Sequence, residues 1–185
     1  VHWASSTEEA NDIVLKIAQA RNAKQVIKGK SMVSEEMAMN EHLTKHGIEA
    51  LESDMGEYII QLDNEKPTHI IMPAIHKNAE QVGRLFENRL ALPYTDDVDS
   101  LIQSARSILR EKFFHADIGV SGVNFAVAET GTLILVENEG NGRMSTTVPP
   151  VHIAVTGIEK VVANMQDTVP LLSLLTRSAL GQGIT

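Results

Sequence analysis

Along the chain, short apolar runs of strand length alternate with segments whose apolar residues recur at helical spacing. Residues 1–4 read as a strand cut at its start. Behind Thr7, read as an N-cap with Glu8 and Glu9 in the first turn, Ala10, Ile13, Val14, Ile17 and Ala18 mark the inner face of a helix. Gln25–Lys28 is a strand followed by Gly29-Lys30-Ser31, and Ser34 then reads as the cap of a second helix that ends at Gly47. A strand over 48–52 and a short helix over Met55–Leu62 come next, and 69–72 reads as a buried strand closed by Pro73. Helices are predicted over Ala79–Leu90 and 97–112, with Pro93 in the loop between them. The region 124–143 is β-rich, with an apolar run at 132–136 and Thr130-Gly131 as a two-residue turn. Pro149-Pro150 precedes a strand over 152–156, and a helix over 167–180 closes the chain with Gly181 at its C′ position.

Alternation of this kind predicts an α/β domain: a mostly parallel sheet flanked by helices on both faces, with a β-rich hairpin insertion. Ligands of such sheets bind beyond the carboxyl ends of the strands, which singles out the loops 28–34, 73–78 and 137–147.

Composition narrows the function classes. A chain of 185 residues is long enough for one domain with a real core, and 43% hydrophobic with 22% charged residues is an ordinary globular balance. The net charge of -8, from 16 basic and 24 acidic residues, argues against a nucleic-acid surface. Zero cysteines exclude disulfides, thiolate metal sites and iron–sulfur ligation by this chain. No apolar run approaches the roughly 18 residues of a membrane span and no signal-peptide pattern opens the chain, so a cytoplasmic location is expected. A start at Val-His-Trp without Met reads as a fragment of something longer.

Several short motifs invite a chemical reading. Gly29-Lys30-Ser31 is similar to the tail of a P-loop, but Lys24 stands where the first glycine is needed, so a P-loop is rejected. Lys28 and Lys30 ahead of a helix still leave either a weak anion site or an ordinary turn, with Glu35 and Glu36 competing for the same positive end. Gly140-Asn141-Gly142 lacks the third glycine of a dinucleotide fingerprint and runs into Pro149-Pro150, so that reading fails as well. Arg143 is placed either to clamp a carboxylate or phosphate or to pair with Glu137 or Glu139. His42 and His46 stand four apart without the glutamate of a zinc-protease helix, and the helix-dipole role of His46 is preferred. His76 and Lys77 follow a buried strand and are better placed for ligand binding. Glu129, among Phe125, Val127 and Leu133, is the candidate catalytic carboxylate, either desolvated or turned to solvent by strand alternation.

Taken together, "KGKSMVSEEMAMNEHL", "GEYIIQL", "HIIMPAIHKN", "ADIGVSGVNFAVAETGTLILVENEGNGR" and "LLTRSALGQ" resemble, in order and over the whole chain, the amino-terminal LUD domain of the lactate utilization protein B family. The resemblance implies a fold like the NagB/RpiA/CoA-transferase group. It also implies a place in a bacterial system that oxidises L-lactate to pyruvate, with other lactate-utilization subunits as partners. Two [4Fe–4S] clusters are expected in the carboxyl-terminal part of the full-length family protein. Residues 1–185 would then be a single LUD domain, lacking that segment and the family's helical amino-terminal extension, and carrying no cofactor of its own. The family motif residues fall here on Lys28, Lys30, Ser31 and Met32; on His76, Lys77 and Asn78; on Asn124, Glu129, Thr130 and Gly131; on Asn138, Glu139, Gly140, Asn141 and Arg143; and on Thr176, Arg177 and Ser178. From these, Lys30, His76 and Arg143 are expected to bind a small carboxylate or phosphate, with Glu129 as the acid–base or structural carboxylate, and Glu129 and 138–143 are expected near the same cleft as Lys30 and His76. Two rivals stand beside it: a scaffold that docks partner subunits, and a CoA-transferase-like or sugar-phosphate-isomerase-like enzyme using Glu129 or Glu139.

Overall fold

The computed structural model describes residues 1–69 and 72–183. In chain order its elements are α1 (Thr7–Ala20), β1 (Gln25–Lys28), α2 (Met32–Glu36), α3 (Met39–Lys45), β2 (Glu49–Glu52), α4 (Met55–Leu62), α5 (Ala79–Leu90) and α6 (Val98–His115). There follow β3 (Ile118–Ser121), β4 (Phe125–Val127), β5 (Thr132–Ile134), α7 (Asn141–Thr147), β6 (Val151–Ala154), β7 (Val161–Val162) and α8 (Thr168–Leu180).

Four strands form a wholly parallel sheet in the order β2-β1-β3-β6. Side chains alternate between its faces. Val26, Ala50, Ile118 and Val120 pack on one face under Val14, Leu15 and Ala18 of α1 and Met39 and Leu43 of α3. Ile27 and Leu51 face the other way, against Tyr58 of α4, Leu109 and Phe113 of α6, and Met144 and Val148 around α7. Beyond that layer, Ile59 of α4 meets Leu85 and Phe86 of α5 and Leu101 and Ala105 of α6. Burial on both faces is why these strands are nearly continuous apolar runs. The expected α/β class, with helices on both faces of a parallel sheet, is therefore what the chain adopts.

The hairpin insertion is a second sheet, β5-β4-β7, in which β4 pairs antiparallel with β5 and parallel with β7. Its loop spans four residues rather than two: the Gly131 N–H donates to the Val127 carbonyl at 2.8 Å, and Gly131 takes the left-handed φ of 70° that closes the turn. Among the described residues no helix is long and apolar enough to cross a membrane.

Three local readings are corrected. Residues 1–4 form no strand and are exposed. Ser6, not Thr7, caps α1, its side chain accepting from the Glu9 N–H. The helix expected from Ser34 to Gly47 is two: Ser31 caps α2 by accepting from the Ser34 N–H at 3.3 Å, and Ala38, at φ 53°, breaks the run before α3. The break frees the Met37 carbonyl, and Asn11 of α1, only 5% exposed, donates to it at 2.7 Å. The strand expected over 69–72 turns on Ile70 and Ile71, which lie outside the described residues.

Candidate functional site

The carboxyl edge of the parallel sheet holds a buried charge cluster. Register sets Lys28, the last residue of β1, beside Glu52, the last of β2, and alternation turns both toward α2 and α3. The Lys28 ammonium, on a side chain 1% exposed, lies 2.9 Å from Glu52 Oε1 and 3.1 Å from Glu35 Oε1 of α2. Asn40 of α3 donates through Nδ2 to the same Glu52 oxygen. Glu57, in the first turn of α4 and 5% exposed, completes the group; Asp54 caps that helix by accepting from the Glu57 N–H. Burial by itself would push the lysine down, but Glu52, Glu57 and Glu35 outweigh it and raise Lys28 above the ordinary lysine range, so it stays charged. Burial, then the charge and hydrogen bonding of Glu52, push Glu57 up to about 9, with Lys28 pulling the other way. Glu35, Glu52 and Glu57 bring one oxygen each within 4.8 Å of one another, and the Lys28 ammonium pairs with the first two.

Two loops cover this cluster. A methyl group on Gly29 would touch the Cα of Gly142 and Oγ of Ser145, each at 3.8 Å, so loop 28–34 lies against the start of α7. Closer in, a Cβ on Gly119 would fall 1.8 Å from the Ser145 carbonyl oxygen; only glycine lets the α7 backbone lie on β3 here. Ser53 Oγ donates to the Lys28 carbonyl at 2.8 Å and stands 3.4 Å from Ser145 Oγ, tying β2 to the same junction. Above it, Glu137 accepts from the Arg143 N–H at 2.8 Å, with its other oxygen 3.5 Å from Arg143 Nε. Glu139 accepts from the Met55 N–H at the start of α4. Partial desolvation, then Asp54, raise the Glu139 carboxyl above its ordinary range, against the Met55 N–H and the positive charge of Lys30. Loops 28–34 and 137–147 thus meet over the ends of β1, β2 and β3.

The sequence profile of the LUD domain matches residues 1–185, the whole chain. The chain belongs to the LUD domain family. The LUD domain described here is 47% identical over 186 aligned residues to lactate utilization protein B of Bacillus subtilis (strain 168). It is 48% identical to the protein of that name from Bacillus cereus (strain AH820) and 45% identical to the one from Oceanobacillus iheyensis, each over 185 residues. Each alignment covers all of this chain but 39% of the relative, so the chain spans about two-fifths of the length of these proteins. No solved structure matches it.

Within the LUD domain the motif residues separate into neighbourhoods. Lys28, Lys30, Ser31, Glu139, Asn141 and Arg143 gather at the sheet edge, with Gly140, at φ 80°, opening α7 and Asn138 exposed just before it. His76 bonds to Glu65 at 2.7 Å and Thr68 at 3.0 Å, and Lys77 pairs with Asp63 and Glu65. Those partners follow the carboxyl end of α4, whereas Glu139 meets its amino end; eight helical residues, about 12 Å, separate the two. Asn124 closes the hairpin by accepting from the Val136 N–H. Thr130 bonds to Thr132, and Glu129 is exposed in the hairpin loop, its N–H donating to the Ala163 carbonyl. Arg177 is exposed near the end of α8. His46 caps α3, with Nδ1 facing the His42 carbonyl at 2.8 Å. Sequence reading passed over Glu52 and Glu57. Their one legible trace is that two apolar strands, Val-Ile-Lys and Ala-Leu-Glu, both end on a charge.

Proposed function

We propose that this LUD domain serves lactate utilization, as the name of its relatives states, and that it contributes a small-anion site to a system oxidising L-lactate to pyruvate. The observation that carries the reading is the meeting of loops 28–34 and 137–147 at the sheet edge, with Lys30 and Arg143 on its outer side. Arg143 is 78% exposed and only loosely paired with Glu137, an ion pair of at most about 1 kcal/mol. A ligand carboxylate that bonds the guanidinium through both oxygens displaces such a partner readily. Lys30, whose positive charge already acts on Glu139, adds a second cation for the ligand. Lys28, buried and committed to Glu35 and Glu52, fixes the floor. In this reading Glu129, His76 and Arg177 lie outside the first contacts of the ligand. The [4Fe–4S] clusters of the full-length protein take no thiolate from residues 1–185, which contain no cysteine.

Thermal-shift titration with L-lactate, pyruvate, CoA and inorganic phosphate tests the site. Stabilisation by a carboxylate or phosphate that disappears in the Lys30→Ala/Arg143→Ala double variant is the expected result. Stabilisation that survives in that variant, or none with any of the four, refutes it.

A docking role is the second reading, favoured by the exposure of Leu133 of β5, Ile158, Val161 of β7, Met165, and Val169 and Leu174 of α8. Binding of the other lactate-utilization subunits that is lost on Val169→Ser/Leu174→Ser substitution supports it; unchanged binding removes it.

A further inference from the structure

Hydrogen-bond accounting in the buried cluster leaves a remainder. Lys28 and Asn40 satisfy Oε1 of Glu52, and Lys28 satisfies Oε1 of Glu35. Oε2 of Glu52, Oε2 of Glu57 and Oδ1 of Asn40 are buried and, among the described residues, receive no donor. The two glutamates are 4% and 5% exposed, so bulk water does not supply one to them. Glu52 and Glu57 bring a carboxylate oxygen each within 4.8 Å of one another, and two carboxyl groups cannot bond each other unless one carries a hydrogen.

We propose that Glu52 and Glu57 share one proton, making the cluster a buried carboxylic acid–carboxylate pair held against Lys28 and occupied at neutral pH. A single hydrogen on Glu57 accounts for both orphaned carboxylate oxygens. It also resolves the charge. Three ionised carboxylates against one ammonium leave two uncompensated negative charges; the proton removes one, and the other sits on Glu35, whose side chain is 33% exposed to water. Inside the protein, Lys28 and Glu52 then balance. Burial, Glu52 from β2 and Asp54 ahead of α4 all oppose ionisation of Glu57, and Lys28 favours it; Glu35 from α2 brings a further carboxylate oxygen within 4.8 Å. The site lies directly under loop 28–34, so proton occupancy and the seating of that loop are tied through Lys28.

Side-chain carboxyl carbons of glutamate, followed by NMR on the whole 185-residue chain, read this proton. The expected result is one glutamate un-ionised at pH 7, titrating several pH units above the others, whose signal is absent in Glu57→Gln. The amide of that variant keeps a donor for Glu52. All glutamates ionised at pH 7 would overturn the proposal. So would loss of the un-ionised signal on adding millimolar Mg²⁺ or Ca²⁺ at pH 7, which would assign the pocket to a divalent cation. The wild-type titration decides by itself if the variant does not fold. No lactate, phosphate or partner protein enters the measurement, so its outcome is separate from that of the ligand-site reading.

Discussion

Replacing Lys28 by Met tests the buried cluster most directly. Methionine keeps most of the volume of the side chain and removes its charge. With the side chains of Lys28 and Glu52 1% and 5% exposed, the deletion strands a carboxylate away from water and also exposes Glu57 to its field. Breaking a buried pair by removing one partner costs about 3–5 kcal/mol, against a total domain stability of roughly 5–15 kcal/mol. At a urea dependence of about 2 kcal/mol per molar, the unfolding midpoint at pH 7 drops by about 1.5–2.5 M. The double variant Lys28→Met/Glu52→Gln removes both charges and regains most of that loss, because a neutral replacement for a buried pair is close to balanced. Lys28→Met also regains stability as pH falls, since protonating a stranded carboxyl removes the uncompensated charge. A midpoint shift below about 0.5 M for Lys28→Met, or a double variant no more stable than the single one, refutes the reasoning.

Three further outcomes follow from other parts of the structure. Because burial and then Glu52 raise the Glu57 carboxyl from 4.5 to about 9, the folded state holds a proton that the unfolded state has released between those values. The stabilisation is complete below about pH 4.5 and is lost as pH rises through 9, with a slope of at most about 1.4 kcal/mol per pH unit, and urea midpoints of Glu57→Gln lack that component. Gly119→Ala, whose Cβ would lie 1.8 Å from the Ser145 carbonyl oxygen, forces α7 off the sheet at a cost of about 3 kcal/mol, measured by the same unfolding assay. Asn11→Leu leaves the Met37 carbonyl without its donor and costs about 1–3 kcal/mol, with hydrogen exchange rising around the α2–α3 break and not in α6.

The elements that were legible in the sequence are those whose identity is set locally. α4 and α5 carry their own caps, Asp54 and Asn78, and β1 its own apolar run; their bounds match the expected ones residue for residue. The errors arise where tertiary structure intervenes. Nothing near Ala38 signals a helix break; the residue that stabilises it, Asn11, is 26 positions away. The second sheet was visible as a hairpin, while β7, two residues long, joins it only through pairing with β4. At the site, Lys28 and loops 28–34 and 137–147 were legible from chemistry and from the rule about strand ends. Glu52 and Glu57 were not, because their partnership with Lys28 exists only in the parallel register of β1 and β2 and in the placement of α4.

The cluster also constrains how this domain can change over generations. Lys28, Glu52 and Glu57 are mutually dependent, so a single substitution by a residue without a matching donor or charge leaves a charge or an acceptor stranded, while a matched pair of substitutions passes with little loss. Paths through sequence space therefore cross this spot in double steps. In an alignment of LUD domains, positions 28, 52 and 57 should be exchanged together or kept together, and their joint state would divide the family into lineages more sharply than any exposed residue of the loops above them.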